Sequence, residues 1–257
     1  MSRVLSELAS LLALERLEEN LYRGQSQDLG WGAVYGGQVL GQALSAASRT
    51  VAGGRIVHSL NAYFLRPGDV SLPIVYDVDR IRDGGSFTTR RVVAIQKGEA
   101  IFNLAASFQK VEGGLSHQDT MPNVPAPESL PTDQERMAKL ADKLPAALRK
   151  LAEAERPFEI RSHTPRKDAG GTPERHVWFK TASKLPDDPA LHASLLAYAS
   201  DYSFLTTSLL PHGIHWPSPG LQIASLDHVM WFHEPFRVDD WLLYATGGLA
   251  YMGERFT

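Results

Sequence analysis

Phe64, Pro67 and Tyr76 recur as Phe232, Pro235 and Tyr244, each 168 positions further along, and this repeat constrains the fold more than any other feature of the chain. Upstream, Tyr35-Gly-Gly-Gln38 aligns with Tyr198-Ala-Ser-Asp201 at a shift of 163, so the helices correspond once a loop changes by five residues. The order of expected elements is strand, helix, strand, strand around both sets. Two tandem copies of one helix-plus-sheet unit follow, with Asp201 standing where the first copy has Gln38.

Local patterns give each copy its elements. A first helix is expected over residues 6–19, from the spacing of Leu8, Leu11, Leu12, Leu14 and Leu17, and a strand over 20–26. Residues 35–48 are rich in small side chains yet place Val39, Leu40, Ala43 and Leu44 at helical spacing, and Gly36, Gly37 and Gly41 predict a helix that another backbone approaches closely. Four strands should follow over 58–66, 73–82, 86–96 and 100–111, separated by Pro67-Gly68, Asp83-Gly84-Gly85 and Lys97-Gly98. A helix followed by hairpin-connected strands makes an antiparallel sheet wrapped on that helix, an α+β class of fold.

Residues 118–168 break the pattern. A Pro-rich connector leads into a charged amphipathic helix over 134–155, interrupted at Pro145, and 161–175 reads as polar loop. The expected organisation is therefore a first unit over 1–117, a linker with an amphipathic helix over 118–168, and a second unit over 169–257. In the second unit a strand is expected over 176–183, a helix over 191–210 behind the start signals Asp187, Asp188 and Pro189, and strands near 221–233 and 241–246. Thirty-four residues separate Tyr76 from Lys110 in the first copy, against 13 after Tyr244, so the second sheet is expected to lack its last hairpin. On that reading the chain is truncated or frameshifted, or a partner covers the gap.

Asp201 lies within the mostly apolar stretch 191–210. A carboxylate is rarely buried without a partner, because desolvation costs several kcal/mol unless bonds or a charge offset it. Two readings stand: Asp201 faces solvent or caps a backbone kink, or it points into a cleft as a base.

Composition narrows the class. The 257 residues, 43% hydrophobic and 21% charged, suffice for one large or two small domains with a core. A formal net charge of -3 without basic runs argues against nucleic acid as main partner. With no Cys there is no disulfide framework, thiol nucleophile or Cys-bound metal. The N-terminus is amphipathic but interrupted by Glu7, Glu15 and Arg16, unlike a signal peptide, and no apolar run is long enough to span a bilayer, so the expected compartment is the cytoplasm, without membrane partners.

The segments RGQSQDLGWGAVYGGQVLGQAL, VHSLNAYFLRPGD, IRDGGSFTTRRVVAIQKGEAIFNLAASFQ, YASDYSFL, PHGI and LDHVMWFHEPFRVDDWLLY together resemble the acyl-CoA thioesterase II family, over about Leu11 to Thr246. The resemblance implies a double hot-dog fold, each unit a long helix wrapped by an antiparallel sheet, and hydrolysis of acyl-CoA to free acid and CoA without an acylated side chain. It implies an Asp at the start of the second-unit helix, a Thr on the following strand and a Gln on the last strand, together holding and activating a water. Asp201 matches the Asp, and Ser225 stands at the Thr position and keeps its hydroxyl. No residue matches the Gln. Its repeat counterpart is Gln109, in a first-unit site that has Gln38 and hence no base. The resemblance further implies acyl-CoA as partner, a role in fatty acid metabolism, no cofactor and a homo-oligomer. The alternative is an impaired or truncated hot-dog protein that only binds acyl-CoA. A hot-dog dehydratase is disfavoured, since no Asp/His pairing on one loop is visible.

Other signals are weaker. His212 and His215 form an HxxH in a Pro/Gly loop, poor spacing for a metal site, so no metal is expected. Gly30, Gly32 and Gly36 lack dinucleotide-loop spacing, and there is no G-x-S-x-G elbow for a Ser-His-Asp hydrolase. His58 reads as a packed strand histidine before a base, and Trp231, Phe232 and Trp241 as core before an acyl tunnel.

Overall fold

The computed structural model describes residues 1–30, 32–140, 154–165, 174–202, 207, 209–213 and 224–247. In chain order they form α1 (Arg3–Leu12), β1 (Glu15–Glu18), β2 (Leu21–Gly24), α2 (Gly36–Ser48), β3 (Arg55–Phe64), β4 (Ile74–Asp83), β5 (Phe87–Gln96), β6 (Glu99–Lys110), α3 (Asp133–Leu140), β7 (Phe158–His163), β8 (Glu174–Thr181), α4 (Pro189–Ser200), β9 (Asp227–Trp231) and β10 (Leu242–Gly247). Seven strands make one antiparallel sheet in the order β1-β2-β4-β5-β6-β3-β9, and β10-β8-β7 make a second. The class is α+β.

The first unit follows its turn chemistry. Gln96 and Glu99 pair across Lys97-Gly98, whose φ values of 52° and 78° are those of a tight hairpin turn, and β5 and β6 run antiparallel from there. Along β5 and β6 the alternation of Val92, Ala94, Leu104, Ala106 and Phe108 buries one face against Leu40, Ala43 and Leu44 of α2. Gln38 and Gln42 extend from the buried side of α2. Gln42 Nε2 donates to the carbonyls of Leu11 (2.7 Å) and Gln25 (3.0 Å), and its Oε1 accepts from Tyr76 Oη (2.7 Å). Gln38 Nε2 donates to Gln25 O at 3.0 Å and its Oε1 accepts from Gln27 N at 3.1 Å. The position that repeats as Asp201 thus serves structure in the first copy.

Several boundaries differ from the sequence expectation. The first helix stops at Leu12 instead of continuing through residue 19, because Leu5, Leu8 and Leu12 pack into one core cluster while Leu14 packs into the other. Glu15–Glu18 then pairs with β2, and Arg23 forks onto Glu15 at 2.6 Å. Residues 161–163, expected as loop, belong to β7. Its inward positions Phe158, Ile160 and Ser162 include a polar one, held by Asp133 at 2.7 Å, and its outward positions Glu159, Arg161 and His163 are polar, which hides the strand pattern. This strand of the second sheet lies within the expected linker. The expected helix over 134–155 is described as Asp133–Leu140, started by Thr132 and Glu135 bonding each other's backbone N–H groups; its remainder falls on 141–153, outside the described residues. Trp231 is 65% exposed instead of core, since β9 turns that side chain away from α2, while Phe232 is buried. The second-unit helix ends at Ser200, before Asp201, rather than running through it. The aligned tetrapeptides therefore differ in place: Tyr35-Gly-Gly-Gln38 opens α2, and Tyr198-Ala-Ser-Asp201 closes α4. The expected loss of a last hairpin concerns the chain after Gly247, outside the described residues.

Among the described residues no helix is long and apolar enough to cross a membrane.

Candidate active site

Asp188 starts α4, its side chain accepting from Ala190 N (3.0 Å) and Leu191 N (3.3 Å), with Pro189 in the first turn. The helix then crosses α2 at close range. A Cβ on Gly37 would lie well inside 3.0 Å of the Tyr198 carbonyl oxygen, and one on Gly41 would lie 2.9 Å from Ser194 O. Only glycine leaves room for the two backbones. This contact sets the C-terminal end of α4 against the N-terminal end of α2, as the glycine pattern predicted.

Asp201 caps α4 at φ −81° and ψ −3°. Its carboxylate accepts from the Gly37 backbone N–H, and a Cβ on Gly36 would come within 2.8 Å of Oδ2. Ser225, on the exposed lead into β9, donates its hydroxyl to Oδ1 at 3.2 Å. The two residues singled out in the sequence, 24 positions apart, are thereby brought together. Both bonds and the positive end of the α2 dipole favour the ionised carboxyl. Burial opposes them and wins, raising the Asp201 pKa from 3.8 to about 6.

The surroundings are aromatic. Tyr35 Oη donates to Tyr198 O at 3.1 Å, and the Tyr35 and Tyr202 rings stack with centroids 5.2 Å apart. Burial raises the pKa of Tyr35, Tyr198 and Tyr202, so these phenols stay neutral and cannot act as bases near pH 7. Tyr244 Oη donates to Ser200 O at 3.1 Å. Phe158, Ile160, Phe179, Ala199 and Tyr202 line a narrow apolar pocket between α4 and the smaller sheet, with Tyr244 at its wall. A carboxyl with a raised pKa and a hydroxyl on it can hold a water and take its proton.

His58 is bonded through Nε2 to Ser107 Oγ at 2.8 Å on the neighbouring strand and packs edge-on to Phe87, a structural setting. Trp241 is flanked by Lys180 at 4.5 Å and Arg161 at 5.4 Å instead of lining the apolar pocket. Sequence reasoning missed Ser200, His228 and Tyr244, which hold the end of α4. The repeat match marked Tyr244, while Ser200 and His228 stood within the family-like segments YASDYSFL and LDHVMWFHEPFRVDDWLLY without a role of their own. His215 lies outside the described residues.

Two family models match the chain, an acyl-CoA thioesterase N-terminal domain over residues 26–109 and an acyl-CoA thioesterase domain over 147–255. The chain is 44% identical to acyl-CoA thioesterase 2 of Haemophilus influenzae over 248 residues, covering 95% of this chain and 87% of that protein. It superposes on the crystal structure of an acyl-CoA thioesterase II from Mycobacterium marinum with a TM-score of 0.79 and 41% identity, covering 96% and 87% of the two chains. A hot-dog-fold protein of Alicyclobacillus acidocaldarius shares the fold at 19% identity and a TM-score of 0.71, over 95% of this chain and 88% of that one.

Proposed function

From the premise that the chain belongs to the acyl-CoA thioesterase II family and is a double hot-dog thioester hydrolase, we propose that Asp201 activates a water which cleaves fatty acyl-CoA to free acid and CoA, without a covalent intermediate. The observation that carries this reading is a carboxyl raised to about 6 by burial and bonded to Ser225.

A water on the free lone pairs of Asp201 and Ser225 loses a proton to the carboxylate as its oxygen bonds to the thioester carbonyl carbon. The tetrahedral oxyanion collapses, the C–S bond breaks, and the CoA thiolate leaves with the electron pair. A thiolate is a good leaving group near its ordinary pKa, so no strong acid has to stand on the sulfur. The proton held by Asp201 then passes to the thiolate or to solvent, and the carboxylate is restored. The expected Gln has no counterpart among the described residues, and on this reading Asp201 and Ser225 carry the water between them. The protein so read works in the cytoplasm as a homo-oligomer, which light scattering on the purified chain checks.

Release of CoA thiol from a series of acyl-CoAs tests the proposal, with Asp201→Asn as control. A chain without cysteine adds no thiol of its own. Turnover that vanishes in Asp201→Asn supports the mechanism. Acyl-CoA binding without turnover by the folded protein moves the reading to a binding protein, and turnover that survives Asp201→Asn removes Asp201 from the role.

A further inference from the structure

Asp201 is placed by the residue before it. Ser200 is 8% exposed, and its hydroxyl donates to Ala197 O at 2.8 Å. The same oxygen is hydrogen-bonded to His228 Nε2 at 2.9 Å. The Met230 sulfur, two residues along β9, lies 3.3 Å from the same hydroxyl. His228 is 7% exposed, and burial lowers its pKa, so the ring is neutral. The Ser200 carbonyl accepts from Tyr244 on β10. Strands of both sheets therefore grip one residue at the end of α4.

The strand that holds Ser200 also presents Ser225. β9 begins at Asp227, two residues after Ser225, and its lead is pinned by the Phe64 N–H to Leu226 O bond of 2.9 Å. It then pairs with β3 through Tyr63↔Asp227 and Ala62↔His228. β9 thus meets Asp201 twice, on the carboxylate through Ser225 and on the preceding residue through His228. The two contacts fix the offset between β9 and α4. At 3.2 Å the Ser225 bond is already long, so a slip of a few tenths of an ångström breaks it.

We propose that His228 is a positioning residue for the water-activating carboxylate, locking the end of α4 onto β9 through Ser200 so that Ser225 and Asp201 stay in hydrogen-bonding reach. This rests on Asp201 as the base. A neutral imidazole suits that role, being rigid, with a directional ring nitrogen and no charge beside a carboxylate that must take up a proton.

The test compares His228→Leu and His228→Gln in the wild-type and Ser225→Ala backgrounds, by CoA release and by the ¹³C titration of the Asp201 carboxyl. His228→Leu lowers kcat by about 10-fold or more with KM within about twofold, since the lost interaction acts on the reacting geometry and not on substrate binding. His228→Gln, whose amide N–H can reach Ser200, recovers most of the rate. In the Ser225→Ala background His228→Leu has little further effect, because the bond it maintains is already gone. An unchanged kcat, a KM rise alone, or an equal fall in both backgrounds overturns the proposal. Should His228→Leu not fold, Ser200→Ala removes the same bond and carries the same expectations. If the wild-type chain turns over no acyl-CoA, the functional reading fails, and the titration still decides this one. Its midpoint rises above about 6 when His228→Leu lets Ser225, whose bond lowers it, leave the carboxylate, and a midpoint that does not rise overturns the proposal.

Discussion

Asp201→Asn should abolish turnover and stabilise the fold. In the native state the carboxyl ionises at about 6, against 3.8 for an unburied aspartate. Above pH 6 it is charged in both states, and folding carries the whole cost of placing that charge between α2 and α4. Each pH unit of difference corresponds to about 1.4 kcal/mol, so the cost near pH 7.5 is about 3 kcal/mol. Because the folded pKa is the raised one, stability is greatest below pH 4 as far as this group is concerned and is lost as pH rises through 6. Asparagine keeps one acceptor oxygen, turns the other into an NH2 donor, and never carries the charge. Urea unfolding at pH 7.5 should therefore find Asp201→Asn more stable than wild type by about 3 kcal/mol, and the gap should close near pH 4. CoA release should fall in wild type as pH drops through about 6, and be lost by about 10²-fold or more in the variant. A wild-type protein as stable as Asp201→Asn at pH 7.5 would refute the claim that burial dominates this carboxyl. A rate independent of pH between 5 and 7.5 would refute its role as base.

Ser225→Ala removes a bond that lowers the Asp201 pKa, so the acidic limb of the pH–rate profile should move to higher pH and kcat should fall by about 10-fold, measurable by CoA release across pH. Gly37→Ala puts a Cβ into the Tyr198 carbonyl and forces α2 and α4 apart; a loss of about 1–3 kcal/mol in urea unfolding and a larger loss of activity are expected. Gln42→Leu leaves Tyr76 Oη and the Leu11 carbonyl without their buried partner, and a loss of about 2–4 kcal/mol with kcat retained in the folded fraction would be read from unfolding and CoA release.

The repeat, the hairpin turns and the α2 glycines were legible because each is a local pattern with one geometric outcome. Lys97-Gly98 makes a tight turn wherever two strands flank it, and a helix with glycine at 36, 37 and 41 has one bare face. The pairing of Asp201 with Ser225 was legible only through family resemblance, since no local rule links residues 24 apart across two elements. β7 escaped notice because a buried Ser162 takes its partner from Asp133, and such a bond lies outside any sequence window. The end of α4 was misplaced for a related reason: the apolar period continues past Ser200, while the chain's course there is decided by bonds from His228 and Tyr244.

Hydrophobic spacing and glycine placement, carried by neighbours in the chain, determined by themselves that this protein is a doubled α+β unit and put a lone carboxyl in an apolar stretch. The tertiary structure alone decided what that carboxyl is. Its pKa, its hydroxyl partner and its hold on β9 come from desolvation and hydrogen bonds between distant segments, whose strengths depend on distances of a few tenths of an ångström that no local pattern encodes.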